Sequence, residues 1–224
     1  KSKINKLIYF SSIHAFKQFP YLSVLDEKRQ LVDAQSASPY DFTKAMAQKE
    51  VYKAIENGPR GRVAGPLRIW MRNPELAENA QALGQYARFD SSLPPHLSEL
   101  AILVAARYWS AQFEWVHHVP SARRAGISED IITSISYAKI PKFSDPLMQA
   151  VFDYCAELHR DKEVTDKTYE NAVAQISSTG VIDLTAICGY YTFISMTIKA
   201  FRVCDISDIN LPARNAISKL FPAP

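Results

Sequence analysis

The chain has 224 residues, 47% of them hydrophobic and 22% charged. That is enough apolar material for one packed core, so a single domain with appendages is expected. A formal charge of +3, with no dense basic block among the aromatics, sets nucleic acid aside as a partner. No apolar run of about 18 or more residues suggests a membrane span.

From the N-terminus, Lys1, Lys3 and Lys6 precede a short apolar run at residues 7–10. A secretory leader shows that charge order, but His14 and Lys17 interrupt the run and no A-x-A site follows. Residues 1–40 are therefore expected to be a largely irregular arm, with a cleaved leader as the alternative. The protein is expected to be cytoplasmic, or periplasmic or secreted if the leader reading holds. Residues 41–224 read as one helical domain. A helix over 43–56 ends at Asn57-Gly58-Pro59, a strong stop. Gly65-Pro66 opens a short helix. Asn73-Pro74 is a cap with proline at the first helical position, and that helix runs to about Phe89. Residues 91–95 form a turn, and a long segment follows from about His96. Gly126 closes the next piece. Ser128 caps a helix from Glu129 to about Ala138, Asp145-Pro146 opens another to about His159, and Thr165 caps a segment to Ile176. Residues 181–201 form a last helix, apolar on almost every face, which belongs in a core or at an oligomer contact. No convincing alternating strand appears, so the fold class is all-α.

Cys155, Cys188 and Cys204 lie far apart in sequence without a CxxC. They read as reduced, mostly buried thiols rather than a disulfide framework or a zinc site. His159, near a helix C-terminus, is a place where the dipole favours an imidazolium, and His96 reads as surface.

The stretch from Glu99 to Gly126 poses the functional question. An apolar helix there is followed by Glu114, His117 and His118 within five residues. On a helical wheel, Glu99, Arg107, Glu114, His117 and His118 share an arc of about 100°. A solvated stripe has the same pattern, but the other faces are too apolar for a peripheral helix and the stripe lacks long lysines. Glu114 and His118 are neighbours at i and i+4. An unbroken helix would hold Glu99 about 28 Å from His118. A break at Trp109-Ser110, with Ser110 as an N-cap, would let Glu99 pack back toward both. Pro120 bends or ends the helix just after His118. An imidazole between carboxylates suits proton transfer. Glu114 and His118 are also metal-ligand types, but they provide only two ligands, so no metal is expected.

ELAIL, then W-x-A-Q-x-E-W-x-x-H, then A-x-x-A-G resembles the carboxymuconolactone decarboxylase-like family, which includes the alkylhydroperoxidase AhpD type. GPRGRVAGPLRIWMRNPELAENAQALGQYARF and GYYTFISMTIKAF resemble the lead-in and closing helix of its longer members. The resemblance implies an all-helical, AhpD-like fold assembled as trimers or hexamers. In the peroxidase branch a glutamate precedes a CxxC pair, and a histidine follows four residues after the second cysteine. Glu99 and His118 match the glutamate and the histidine, whereas Ala111 and Glu114 stand at the cysteine positions. Thiol peroxidase activity is therefore expected to be absent. The expected function is a cofactor-free lyase or isomerase acting on a small carboxylated or lactone substrate. His118 would carry the proton, Glu99 and Glu114 would assist, and Arg107, Trp115 and His117 would contact the substrate. The alternatives are a family-type hydroperoxide reductase and a non-catalytic oligomeric binding protein.

Overall fold

In the computed structural model the described residues are 39–58, 61, 63–203, 211–213 and 221, with the backbone alone for 39–45, 47 and 48. Residues 1–38, which hold most of the expected arm, and Cys204 lie outside them. The described residues form α1 (Pro39–Glu56), α2 (Pro66–Trp70), α3 (Pro74–Gln85), a π-helical turn (Tyr86–Asp90), α4 (Pro95–Trp109), α5 (Gln112–Arg124), α6 (Glu129–Ser136), α7 (Pro146–Asp161) and α8 (Asp166–Ala200). No strand occurs among them. The chain divides into two compact units, residues 1–85 and 86–224.

In the first unit α3 packs against both α1 and α2. Proline starts α2 and α3 where a missing N–H costs nothing. Asn73 Oδ1 accepts from the Leu76 amide at 3.3 Å, tying down the entry to α3.

The second unit is built around α4. Every residue from Leu97 to Arg107 is buried, and α4 packs against α5, α6, α7 and α8. A helix with apolar residues on all faces and no long solvated side chains can occupy only such a central position. Caps set its neighbours: Ser128 accepts from the Ile131 amide, Asp145 from Leu147 and Thr165 from Thr168. The last two helical segments read from the sequence together make up α8, and the helix breaks between them at Ser177, whose backbone is non-helical (φ 67°, ψ 167°). Asp183 pins α8 to the turn before α4. Its carboxylate accepts from Tyr86 Oη at 2.7 Å, the Ser92 amide at 2.7 Å and Ser92 Oγ at 2.6 Å. Burial alone would raise that carboxyl's pKa, but the hydrogen bonds from Ser92 and Tyr86 outweigh it and hold the pKa below the usual value. By length and composition α8 could cross a bilayer, although most of its apolar window is buried in the fold.

Candidate active site

The break at Trp109-Ser110 decides the geometry of the site. The sequence suggests Ser110 as an N-cap, but it is instead the left-handed C-terminal residue of α4 (φ 52°, ψ 44°). Its amide returns to Ala106 and Arg107 carbonyls, as the end of a helix requires. Ala111 is the N-cap of α5 and provides no side-chain cap. Two helices, α4 and α5, thus replace one rod, and α5 folds back against α4.

That fold-back brings three groups together. His118 Nδ1 lies 2.7 Å from Glu99 Oε2, and His118 Nε2 lies 2.9 Å from Glu114 Oε1. Residue exposures are 2% for His118, 8% for Glu99 and 4% for Glu114. The ring meets Tyr191 of α8 edge-on, with centroids 5.1 Å apart. Burial by itself would push the imidazole pKa down. The negative charge of Glu99 and the hydrogen bonds to Glu114 and Glu99 more than offset this, and the pKa rises from 6.5 to about 8.

Proton counting shows what the array can do. Two hydrogen bonds join three groups, so two protons must be shared among them. Either the ring is an imidazolium between two carboxylates, or it is neutral with one of the carboxyls protonated. The two arrangements hold the same number of protons and differ only in where one of them sits. Such an array can release a proton at either carboxyl end and recover it there. Both ring nitrogens are engaged by carboxylates on opposite sides. Among the described residues, no group of three His, Cys, Asp or Glu side chains has an arrangement able to hold a metal ion.

The other sequence candidates lie around this array. Trp115 is buried. His117 is half-buried, stacks on Phe113 at 4.2 Å, and its Nδ1 sits 2.9 Å from the Phe113 carbonyl. Arg107 is fully buried. It donates to the carbonyls of Ser136 at 3.0 Å and Pro212 at 2.8 Å, and to Ser110 Oγ at 2.7 Å. These bonds tie the end of α4 to α6 and to the C-terminal segment. His159 corrects a sequence expectation. It is buried, and burial pushes its pKa below 6.5, against any dipole preference for the cation. Its Nδ1 donates to the Cys155 carbonyl at 2.8 Å.

Sequence reading also leaves one pairing unseen. Cys188 Sγ lies 3.4 Å from Cys155 Sγ, and both are buried free thiols. Burial, with Cys188 alongside, raises the Cys155 thiol well above its ordinary value, which disfavours the reactive thiolate.

Comparisons with known proteins agree with this architecture. Residues 74–157 match the model of the carboxymuconolactone decarboxylase family, and that span contains both the ELAIL and the W-x-A-Q-x-E-W-x-x-H elements. No curated protein matches the chain. An Agrobacterium tumefaciens protein of unknown function, provisionally described as the antioxidant defence protein AhpD, superposes with a TM-score of 0.56 at 19% identity. The match covers 65% of this chain and all of that one. An uncharacterized peroxidase-related protein from Silicibacter sp. TM1040 superposes with a TM-score of 0.58 at 15% identity, covering 77% of this chain and 90% of that one. At these identities the two structures establish a shared fold.

Proposed function

We propose that this chain, whose residues 74–157 match the model of the carboxymuconolactone decarboxylase family, is an acid–base lyase or isomerase acting on a small carboxylated or lactone substrate. The supporting observation is the buried Glu99–His118–Glu114 array, with bonds of 2.7 and 2.9 Å. Decarboxylation of a lactone carboxylate leaves the C–CO2 electron pair in an enolate, which needs one proton delivered to carbon, and migration of a double bond in an unsaturated acid needs one proton removed and one delivered. Three groups sharing two protons supply both operations.

The Glu99 side chain is the least covered member, 10% exposed against 3% for His118 and 6% for Glu114. Glu99 is thus the end that meets the substrate. His118 relays the proton, and Glu114 fixes the tautomer by holding the far nitrogen. A ring that gains its proton near pH 8 is charged at neutral pH and ready to give a proton to Glu99.

The test is a turnover screen of lactone carboxylates and unsaturated acids. His118→Gln and Glu99→Gln are each expected to lower kcat on the substrate found by about 100-fold or more. Unchanged turnover in His118→Gln would overturn the proposal.

A second reading, a non-catalytic oligomeric binding protein in which the array is a structural ion-pair network, is favoured by the near-complete burial of all three groups. It predicts a large loss of thermal stability in every single variant of the array and no turnover in the wild type.

Assembly as a homo-oligomer, which the family resemblance implies, is part of this proposal, and α8 with its C-cap leaves Ile182, Met196 and Phe201 69%, 49% and 56% exposed. Sedimentation equilibrium checks this, and a monomer at micromolar concentration would contradict it.

A further inference from the structure

A groove of about 780 Å³ opens between the C-terminal ends of α4 and α7 and the outer face of α8. None of Glu99, Glu114 or His118 lines it. Its volume lies within the range of sites that enclose small organic molecules. We propose that this groove is a binding site for a small aromatic carboxylate, with Lys199 as the counter-ion.

Three observations carry the proposal. The first is the lining. Tyr108 and Trp109 form an aromatic wall with rings edge-to-face at 6.1 Å, and Leu158, Cys188 and Met196 add apolar surface. An apolar groove lined by an indole and a phenol ring suits a planar hydrocarbon body. The Trp109 indole N–H is already used, donating to Thr192 Oγ1 at 3.2 Å. The ring is thereby fixed in orientation.

The second is charge. The lining contains Lys162 and Lys199 and no carboxylate. Lys162 is committed locally: it donates to Tyr108 Oη at 2.7 Å and to the His159 carbonyl, and lies 4.4 Å from the Tyr108 ring centre. Lys199 is exposed and reaches the Ser110 carbonyl only at 3.5 Å, the outer limit of a hydrogen bond. It keeps donor capacity for an anion at the groove's edge.

The third is Gly189. A glycine inside a helix costs about 1 kcal/mol relative to alanine, and close packing usually explains its presence. Gly180 on the same helix fits that explanation, because an added Cβ would lie 3.0 Å from Ile176 Cβ and 3.4 Å from Leu93 Cδ2. An added Cβ at Gly189 would meet nothing within 4 Å. The effect of its missing side chain is to widen the groove it lines.

The experiment uses calorimetry with 2-naphthoate and its neutral isostere 2-naphthamide. The wild type is expected to bind both, with the naphthoate preferred by up to about fivefold, as an exposed ion pair allows. Lys199→Met is expected to bring the two affinities together. Gly189→Leu, which fills the groove and raises helix propensity, is expected to abolish binding of both while melting no lower than the wild type. Three outcomes would each overturn the proposal. One is equal affinity of the wild type for naphthoate and naphthamide. Another is undiminished binding in Gly189→Leu. The third is a wild type that binds neither probe while Gly189→Leu changes the oligomeric state, which would assign the groove to a contact between copies of the chain.

Discussion

The raised pKa of His118 makes the array's contribution to stability measurable without a substrate. The ring titrates at 6.5 when the chain is unfolded and at about 8 when folded. A base with a raised folded pKa binds more protons in the native state, so its stabilisation is complete below pH 6.5 and is lost as pH rises through 8. A shift of that size corresponds to roughly 2 kcal/mol. For a chain of this length the loss is about 4–8 °C in Tm between pH 6 and pH 9. Other groups titrate in this range, so the informative quantity is the difference between wild type and His118→Gln, measured by calorimetry at half-unit pH steps. His159 does not confuse the window. Its folded pKa is lowered, so its effect falls on the acid side, where stability is lost as pH drops below 6.5. The wild type should be the more stable protein at pH 6, and the gap should narrow steadily toward pH 9. A gap that stays constant across the range would refute the reasoning, because the carboxylates would then not be holding the imidazolium.

The same array can be read atom by atom. In ¹⁵N NMR both nitrogens of His118 are expected to be protonated at pH 6.5, and Glu99→Gln or Glu114→Gln should each move the ring's titration down, because burial then dominates. Unmoved titration in both variants would contradict the assigned contacts. Asp183→Asn removes the charge that three donors address. It is expected to destabilise the protein by about 2–3 kcal/mol, and a melt unchanged within error would show that the Tyr86–Ser92 tether is dispensable. Cys155 is expected to resist native alkylation by iodoacetamide at pH 7.5, with peptide mass spectrometry finding label there only after unfolding. Fast labelling of Cys155 would restore a thiol-based reading.

The helix ends were legible because their chemistry is local. Asp145-Pro146, Ser128 and Thr165 each announce a cap that needs only the next few residues. Glu114 and His118 were legible for the same reason, being one helical turn apart. The approach of Glu99 was legible only on condition of a break in the rod, and the nature of that break was misread. A serine at φ 52° closing a helix carries no compositional signature, whereas glycine would have. Contacts that cross from helix to helix over long sequence separations were not legible. The meeting of Cys155 with Cys188 and of Asp183 with Tyr86 and Ser92 depends on how α7, α8 and the turn before α4 pack. The neutral preference of His159 likewise follows from burial that its position near a helix end did not disclose.

The central claim is that Glu99, His118 and Glu114 move protons to and from carbon. Its most direct measurement is deuterium uptake from D₂O into a panel of lactone carboxylates and unsaturated acids, followed by ¹H NMR with the wild type and His118→Gln side by side. Uptake next to the carboxyl or lactone carbonyl of at least one compound, reduced about 100-fold or more in His118→Gln, is the predicted result. Exchange that proceeds equally in both proteins, or an absence of exchange across the whole panel, would contradict it.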